Sequence, residues 1–389
     1  MIKQHSSWAE IDASAIRHNI AIIRHQVGEH AKICAVLKGN AYGHDLIKMK
    51  RFLVTEGIAD MLAVGKAEEL LTLCNEADMG DTELLLLGEA EAGEIEAAIM
   101  EGKLDLSRVI FSIFTMRQFR DFQEVADRLD VKIRVHIRVD GWDSGMGLSY
   151  NEFLEKENEL FSSEHINICG LYGHLYSSYY DGQDKTRSDL EEFDAFVKKI
   201  SAAHRKQLII HIMNSALIFK FPSFAYDMVR TGAAIYGLPC GDGGRLTSAM
   251  KICARIFCIK EISNSVPLSY QPVMSLSGQI INEAADIPVK RRIARIMIGY
   301  GDCPYLLTQK DVRVVLKSKC YRLADVVCMD NLCVDITEDP SITHGDIAIL
   351  LGTPGVTTQE IMERNGLFYV HSDWLCMTTE RLKKIIIKN

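Results

Sequence analysis

The stretch ICAVLKGNAYGHD, residues 33–45, ends an apolar run in Lys38 and follows it with small and polar residues. A lysine amine that is partly desolvated, or flanked by other cations, sheds its proton more easily and attacks carbonyl carbon, which is what a Schiff base needs. Other apolar runs end in equally useful groups: His174 in GLYGHL, Asn214 and Ser215 in IIHIMNS, and Arg230 in MVRTG. Singly, each has a plainer reading. Lys38 is then a solvated strand end, His174 a hydrogen-bonded core residue, Asn214–Ser215 a helix N-cap and Arg230 the ion-pair partner of Asp227. Together they make a different set, provided one scaffold presents them at one face.

The elements around them supply such a scaffold. Eight short apolar runs recur, at 32–38, 61–64, 83–88, 108–112, 132–140, 166–175, 207–215 and 228–237. Between them lie stretches such as TMRQFRDFQEVADRL and SDLEEFDAFVKKISAAHRK, whose apolar residues return every three or four positions. Eight strand-helix alternations predict a (β/α)8 barrel of TIM type over residues 1–244, in preference to an open doubly wound sheet. In such a barrel the functional groups sit at the C-terminal ends of the strands, where Lys38, His174, Asn214, Ser215 and Arg230 all fall. The segment RTGAAIYG, with Gly232 and Ala233, lets backbone approach a ligand closely, and a Ser/Asn helix start offers N–H groups to a phosphate. A carbonyl-binding lysine beside a phosphate cradle suits pyridoxal 5′-phosphate, a cofactor that brings its own organic chemistry. After the Gly-rich GLPCGDGGRL, residues 237–246, the pattern turns to short β-rich runs, which predicts an all-β domain over 245–389.

Bulk composition narrows the partners. The 389 residues carry a net charge of −8 with 48% hydrophobic residues, which suits a globular protein and argues against nucleic acid as a partner. The eleven cysteines are scattered through apolar runs without CxxC or Cys/His zinc spacing, so no metal is expected and a reducing cytoplasm is the expected compartment. The opening MIKQHSSWAEIDASAIRHN lacks the apolar core of a signal peptide, and no apolar run is long enough to span a bilayer.

AVLKGNAYGHD resembles the cofactor-lysine signature of alanine racemases, and SWAEIDASAIRHN resembles that family's opening stretch. GLYGHL, HIMNSA, YDMVRTGAAIYGL, IGYGD and CMDNLCVD are similar to further family motifs, in the family's order across nearly the whole chain. The resemblance implies a barrel bearing pyridoxal 5′-phosphate, a C-terminal β-domain and a head-to-tail homodimer in which each subunit completes the other's site. Position by position it implies Lys38 as Schiff-base lysine and one of two catalytic bases, with Tyr42, Ser215 and Gly232 around the cofactor phosphate. It implies Arg230 facing the pyridine nitrogen, His174 packed on the ring, and Tyr270 in PLSYQ as the opposite-face base from the partner. Met329, Asp330 and Tyr300 match positions lining the substrate end and its entrance.

The departures from the pattern lie on the substrate side. DSGMGLS, residues 143–149, places Leu148 where the family has an arginine near the cofactor hydroxyl and substrate carboxylate. The upstream lysine, carbamylated in many members, is replaced by Arg138 or Gly141, depending on where the gap falls in HIRVDGWDSG; a cation at Arg138 would restore part of the lost charge. Cys303 stands for a glycine, Leu306 for a channel arginine and Glu380 for an entrance tyrosine, and an insertion lies between Tyr270 and Tyr300. The expected function is therefore amino-acid racemisation, with alanine the default substrate and serine next. An epimerase of a specialised amino-acid intermediate and a non-catalytic cofactor carrier are the alternatives. The carrier reading is disfavoured because barrel proteins of that sort lack a second domain.

Overall fold

The computed structural model describes residues 5–76, 80–141, 145–179, 183–263, 268, 290–367 and 372–387. The chain forms two compact units, Arg17–Thr247 and a discontinuous one made of Met1–Ile16 with Ser248–Asn389. Strand β1 (Ser7–Asp12) belongs to the second unit. The first unit holds β2 (Lys32–Val36), β3 (Met61–Val64), β4 (Glu83–Leu86), β5 (Val109–Ile113), β6 (Ile133–Arg138), β7 (Ile166–Tyr172), β8 (Ile209–His211) and β9 (Met228–Thr231).

These strands lie parallel in sequential order from β2 to β8, and β9 pairs back onto β2. The seam between β8 and β9 is closed by backbone bonds from Asp227 N to Ile210 O (3.1 Å) and from Arg230 N to Met213 O (3.0 Å). The result is a barrel-shaped parallel sheet of TIM type, and each of the eight expected apolar runs overlaps one of its strands. Strands buried on both faces need continuous apolar sequence, which is why MLAV and VIFSI are buried at every position. Cys34, Val36, Met61, Ala63, Leu85, Ile110 and Met228 fill the interior beneath the strand ends. The surrounding helices bury one stripe each. In the helix Met116–Leu129 that stripe is Met116, Phe119, Phe122, Val125 and Ala126, and Thr115 caps its start by accepting from Gln118 N (3.1 Å).

The second unit is mostly β: β10 (Met250–Ser263), β11 (Lys290–Ile296), β12 (Arg313–Leu316), β13 (Lys319–Arg322), β14 (Leu332–Asp335), β15 (Ile347–Leu351) and β16 (Lys383–Ile387). Its main sheet runs β13-β12-β15-β10-β1-β16, with β11 on β10 and β14 on β11. The expected domain 1–244 counted the opening segment with the barrel, but β1 lies between antiparallel β10 and parallel β16. The reason is burial: Trp8, Ala9 and Ile11 are fully enclosed, and Arg255 stacks its guanidinium 5.0 Å over the Trp8 ring. A strand so enclosed needs a ladder partner on each side. Among the described residues no helix is long and apolar enough to cross a membrane, and no group of His, Cys, Asp and Glu could hold a metal.

Candidate active site

Lys38 follows β2 at its C-terminal end and opens an unusual turn. Gly39, Asn40, Ala41, Tyr42 and Gly43 all have positive φ, at 65°, 55°, 55°, 52° and 79°. A left-handed turn costs each non-glycine residue about 1–2 kcal/mol, so the surroundings must hold it. Asn40 does much of this: its Oδ1 accepts from Leu46 N (2.7 Å) and its N–H donates to Glu69 Oε1 (3.2 Å). Glu69 Oε2 in turn accepts from Gly65 N (3.0 Å), tying the loop after β2 to the loop after β3. His44 Nδ1 lies 3.1 and 2.9 Å from the Ala41 and Tyr42 carbonyls, so it carries the proton and donates, while the ring stacks 4.2 Å from Tyr236. Gly65 leaves the lysine its space, since a Cβ there would sit 3.0 Å from Lys38 Cβ.

The neighbouring strand end forms the second half of the site. Because β9 pairs with β2, the residues after Thr231 lie beside the lysine turn. A Cβ on Gly232 would meet Tyr42 Oη at 2.5 Å, so only glycine lets the phenol hydroxyl reach this backbone. Ser215 Oγ accepts from Ala234 N (3.1 Å) and lies 3.3 Å from Thr231 Oγ1, gathering Ser215, Gly232 and Ala233 into one cradle. Asn214 serves the cradle as a cap. Its Oδ1 accepts from Ala216 N and Leu217 N at 3.1 Å, and its Nδ2 donates to Ser178 Oγ (2.8 Å).

Arg230 is not the ion-pair partner of Asp227. That carboxylate is taken by Arg205 Nη2 (3.1 Å) and Ile210 N (2.8 Å). The Arg230 guanidinium is buried, and burial lowers its pKa to about 10. Nη1 donates to His211 Nδ1 (2.5 Å) and His211 O (3.1 Å), Nη2 donates to Gly173 O (2.8 Å), and the group lies 4.9 Å over the Tyr172 ring. An arginine carries five N–H donors, so these bonds leave others for a ligand. The same donation fixes two tautomers. His211 Nδ1 accepts, so its proton is on Nε2, which donates to His136 Nδ1 at 2.9 Å. The His136 proton is then on Nε2, where it has no partner. Burial first, and nearby cations second, push His136 down to about 3 and His211 well below the usual imidazole range.

His174 sits at the same mouth, half-buried, with Tyr176 edge-on at 5.0 Å. Burial, then the charges of Arg230, Arg138 and Lys38, push it down to about 3, so it presents a neutral flat ring. Arg138 closes β6 and is 8% exposed. Its Nη2 donates to Tyr176 Oη (3.2 Å), its Cζ lies 5.5 Å over Phe114 and 5.9 Å over Tyr172, and its buried Nε–H has no acceptor. Leu148 N donates to Arg138 O (3.0 Å) and Leu148 bridges Val139, so the fully buried Leu148 and Arg138 are backbone neighbours.

The remaining expected residues lie in the second unit. Tyr300 N donates to Cys328 O (3.1 Å) and Gly301 N to Met329 O (2.9 Å), which joins Tyr300, Met329 and Asp330 in one loop cluster. Tyr300 and Met329 are exposed, and Asp330 Oδ1 accepts from Arg381 Nη2 (2.6 Å). Leu306 and Cys303 are buried in the unit's own core, whereas Glu380 is exposed. Tyr270 lies outside the described residues, as do Asp143 and Ser144 of the DSGMGLS motif. Sequence reasoning missed His136, His211, Glu69 and Gly65. The usable signal was alternation: His136 and Arg138 are two apart in β6, on one face of the strand.

Comparison with known proteins agrees with this geometry. Residues 11–239 match the N-terminal domain of alanine racemase, and residues 249–386 match its C-terminal domain. The alanine racemase of Symbiobacterium thermophilum is 28% identical over 93% of this chain and 91% of its own length. Alanine racemase 2 of Caldanaerobacter subterraneus is 29% identical over 97% of this chain and 94% of its own. The alanine racemase structure from Clostridium difficile 630 superposes with a TM-score of 0.83 at 27% identity, covering 97% of this chain and 94% of the other.

Proposed function

From the premise that the chain belongs to the alanine racemase family of isomerases, we propose that it racemises a small amino acid with pyridoxal 5′-phosphate, alanine first and serine next. The observation that carries this is the pairing of β2 with β9, which sets Lys38 beside the Tyr42–Gly232 cradle.

The residues fit the cofactor. Tyr42 Oη, Ser215 and the backbone of Gly232 and Ala233 suit its phosphate, the neutral His174 ring suits its face, and the spare donors of Arg230 suit its ring nitrogen. When bound, pyridoxal 5′-phosphate withdraws electrons from the substrate Cα and so acidifies its C–H. Lys38 would hold the cofactor aldehyde through Nζ and would move the Cα proton on one face. Inversion needs a base on the opposite face as well, and Tyr270 of the partner subunit takes that role in a homodimer. Arg230 keeps its own proton near neutral pH, so it does not pass one to the ring nitrogen, and its fixed charge discourages protonation there. Held there, Arg230 would favour return of the proton to Cα over transamination. The family resemblance gives Met329, Asp330 and Tyr300 the substrate-end roles. Eleven free cysteines suit a reducing cytoplasm.

The test is proton NMR of the cofactor-loaded protein in D2O with single L-amino acids, paired with chiral analysis and a Lys38→Ala control. Loss of the α-proton signal with inversion for one amino acid supports the reading and names the substrate. Cofactor held through Lys38 without exchange of any amino acid overturns free amino-acid racemisation.

A further inference from the structure

We propose that Arg138 is the residue that binds the substrate's α-carboxylate, the cation having moved one backbone neighbour away from Leu148. The inference rests on the racemase reading for the identity of the ligand, but its observations are those of the barrel alone.

A buried guanidinium keeps its charge, so it demands either an anion or a full set of acceptors. Arg138 has neither. It is 8% exposed, among the described residues no carboxylate lies within ion-pair distance of it, and its Nε–H is buried without an acceptor. Among the described residues its side chain donates to one phenol, Tyr176 Oη at 3.2 Å, and that hydroxyl donates onward to Met146 Sδ (3.1 Å). The Phe114 and Tyr172 rings offset part of the desolvation, as cation–π contacts do, without supplying a countercharge.

Position selects the ligand. Arg138 ends β6 at the barrel mouth, and its charge acts on the same His174 ring as those of Lys38 and Arg230. A pocket with these cations needs more than one anion. The phosphate belongs to the cradle of Ser215, Gly232 and Tyr42, and Arg230 is held by its bonds to His211 and Gly173 with its spare donors assigned to the ring nitrogen. Arg138 remains for a second, planar anion, and a guanidinium edge offers a carboxylate two parallel donors. The bridge between Val139 and Leu148 makes an exchange of cation between positions 138 and 148 geometrically short.

The experiment is a titration of the cofactor-loaded protein with L-alanine and with L-alaninamide, which keeps the amine and lacks the charged carboxylate. Binding is followed by the cofactor's visible absorption, and KM and kcat are measured alongside. The parent should prefer alanine. Arg138→Leu and the milder Arg138→Gln should raise the alanine Kd and KM by about 10- to 100-fold, the range for a lost charge-assisted bond, while alaninamide binding stays within a few-fold. Arg138→Leu combined with Leu148→Arg should recover the preference. An unchanged preference for the carboxylate in Arg138→Gln overturns the proposal, as does equal weakening of both ligands. Carboxylate preference lost on mutation, in a parent that racemises nothing, would sink the racemase reading and leave Arg138 as the anion site.

Discussion

The His136–His211 pair makes the barrel acid-sensitive by a calculable amount. His136 is fully buried and titrates at about 3 in the fold, against 6.5 for an ordinary imidazole. Its folded pKa is depressed, so its stabilising contribution is complete above pH 6.5 and is lost progressively as pH falls toward 3. At pH 5 the unfolded chain holds the proton and the fold does not, a penalty of about 2 kcal/mol relative to pH 7 at 1.36 kcal/mol per unit. His136→Asn removes the titration and keeps an oxygen where Nδ1 accepts from His211. Proton uptake on denaturation, measured in a pH-stat at pH 5, should be about one proton greater for the parent than for the variant. Urea midpoints for the two should also converge between pH 7 and pH 5, by an amount worth about 2 kcal/mol. Equal proton uptake and parallel pH profiles would mean that His136 titrates normally, and the tautomer chain from Arg230 to His136 would then be wrong.

Gly232→Ala should weaken cofactor binding at least tenfold with near-native far-UV circular dichroism, because the new Cβ lies 2.5 Å from Tyr42 Oη; equilibrium dialysis against pyridoxal 5′-phosphate checks it. Asn214→Ala removes the cap of the helix Ser215–Lys220 and the bond to Ser178, and should cost about 1–2 kcal/mol in chemical denaturation. Asn40→Ala strips the acceptor from Leu46 N while leaving a strained φ of 55°, so it should slow borohydride-trapped attachment of the cofactor to Lys38. Arg381→Leu breaks two ion pairs, one with half-exposed Asp330 and one with buried Asp302 (3.4 Å), so chemical denaturation should show a loss of about 1–3 kcal/mol, while KM for the amino acid should rise several-fold in a steady-state assay.

The barrel was legible because its strands are buried on both faces, so MLAV or RVIFS reads as an apolar run bounded by polar or small residues. Lys38 was legible for the same reason: it breaks such a run. Strand β1 was not, because SWAEID earns its place from partners near residues 250 and 385, far beyond any local window. The left-handed turn after Lys38 was hidden as well. Asn40, Ala41 and Tyr42 show no preference for positive φ strong enough to announce it, and Glu69, which holds the turn, looks like any other helix glutamate. The choice between Arg138 and Gly141 was open in sequence because a gap can fall anywhere in a loop. The bond from Leu148 N to Arg138 O fixes which residue faces Leu148.

The placement of β1 between β10 and β16 also dictates an order of assembly. A ribosome releases β1 ahead of the barrel, yet the neighbours that satisfy its backbone are encoded after the whole of residues 17–247. The barrel can complete itself during synthesis, while β1 must wait as an unpaired, tryptophan-bearing strand until β10 emerges, and for its second neighbour until β16 does. A fragment starting at residue 248 would lack an inner strand of its main sheet. Supplied as a separate peptide, residues 1–16 should therefore restore that sheet in trans, as a missing stave restores a cask.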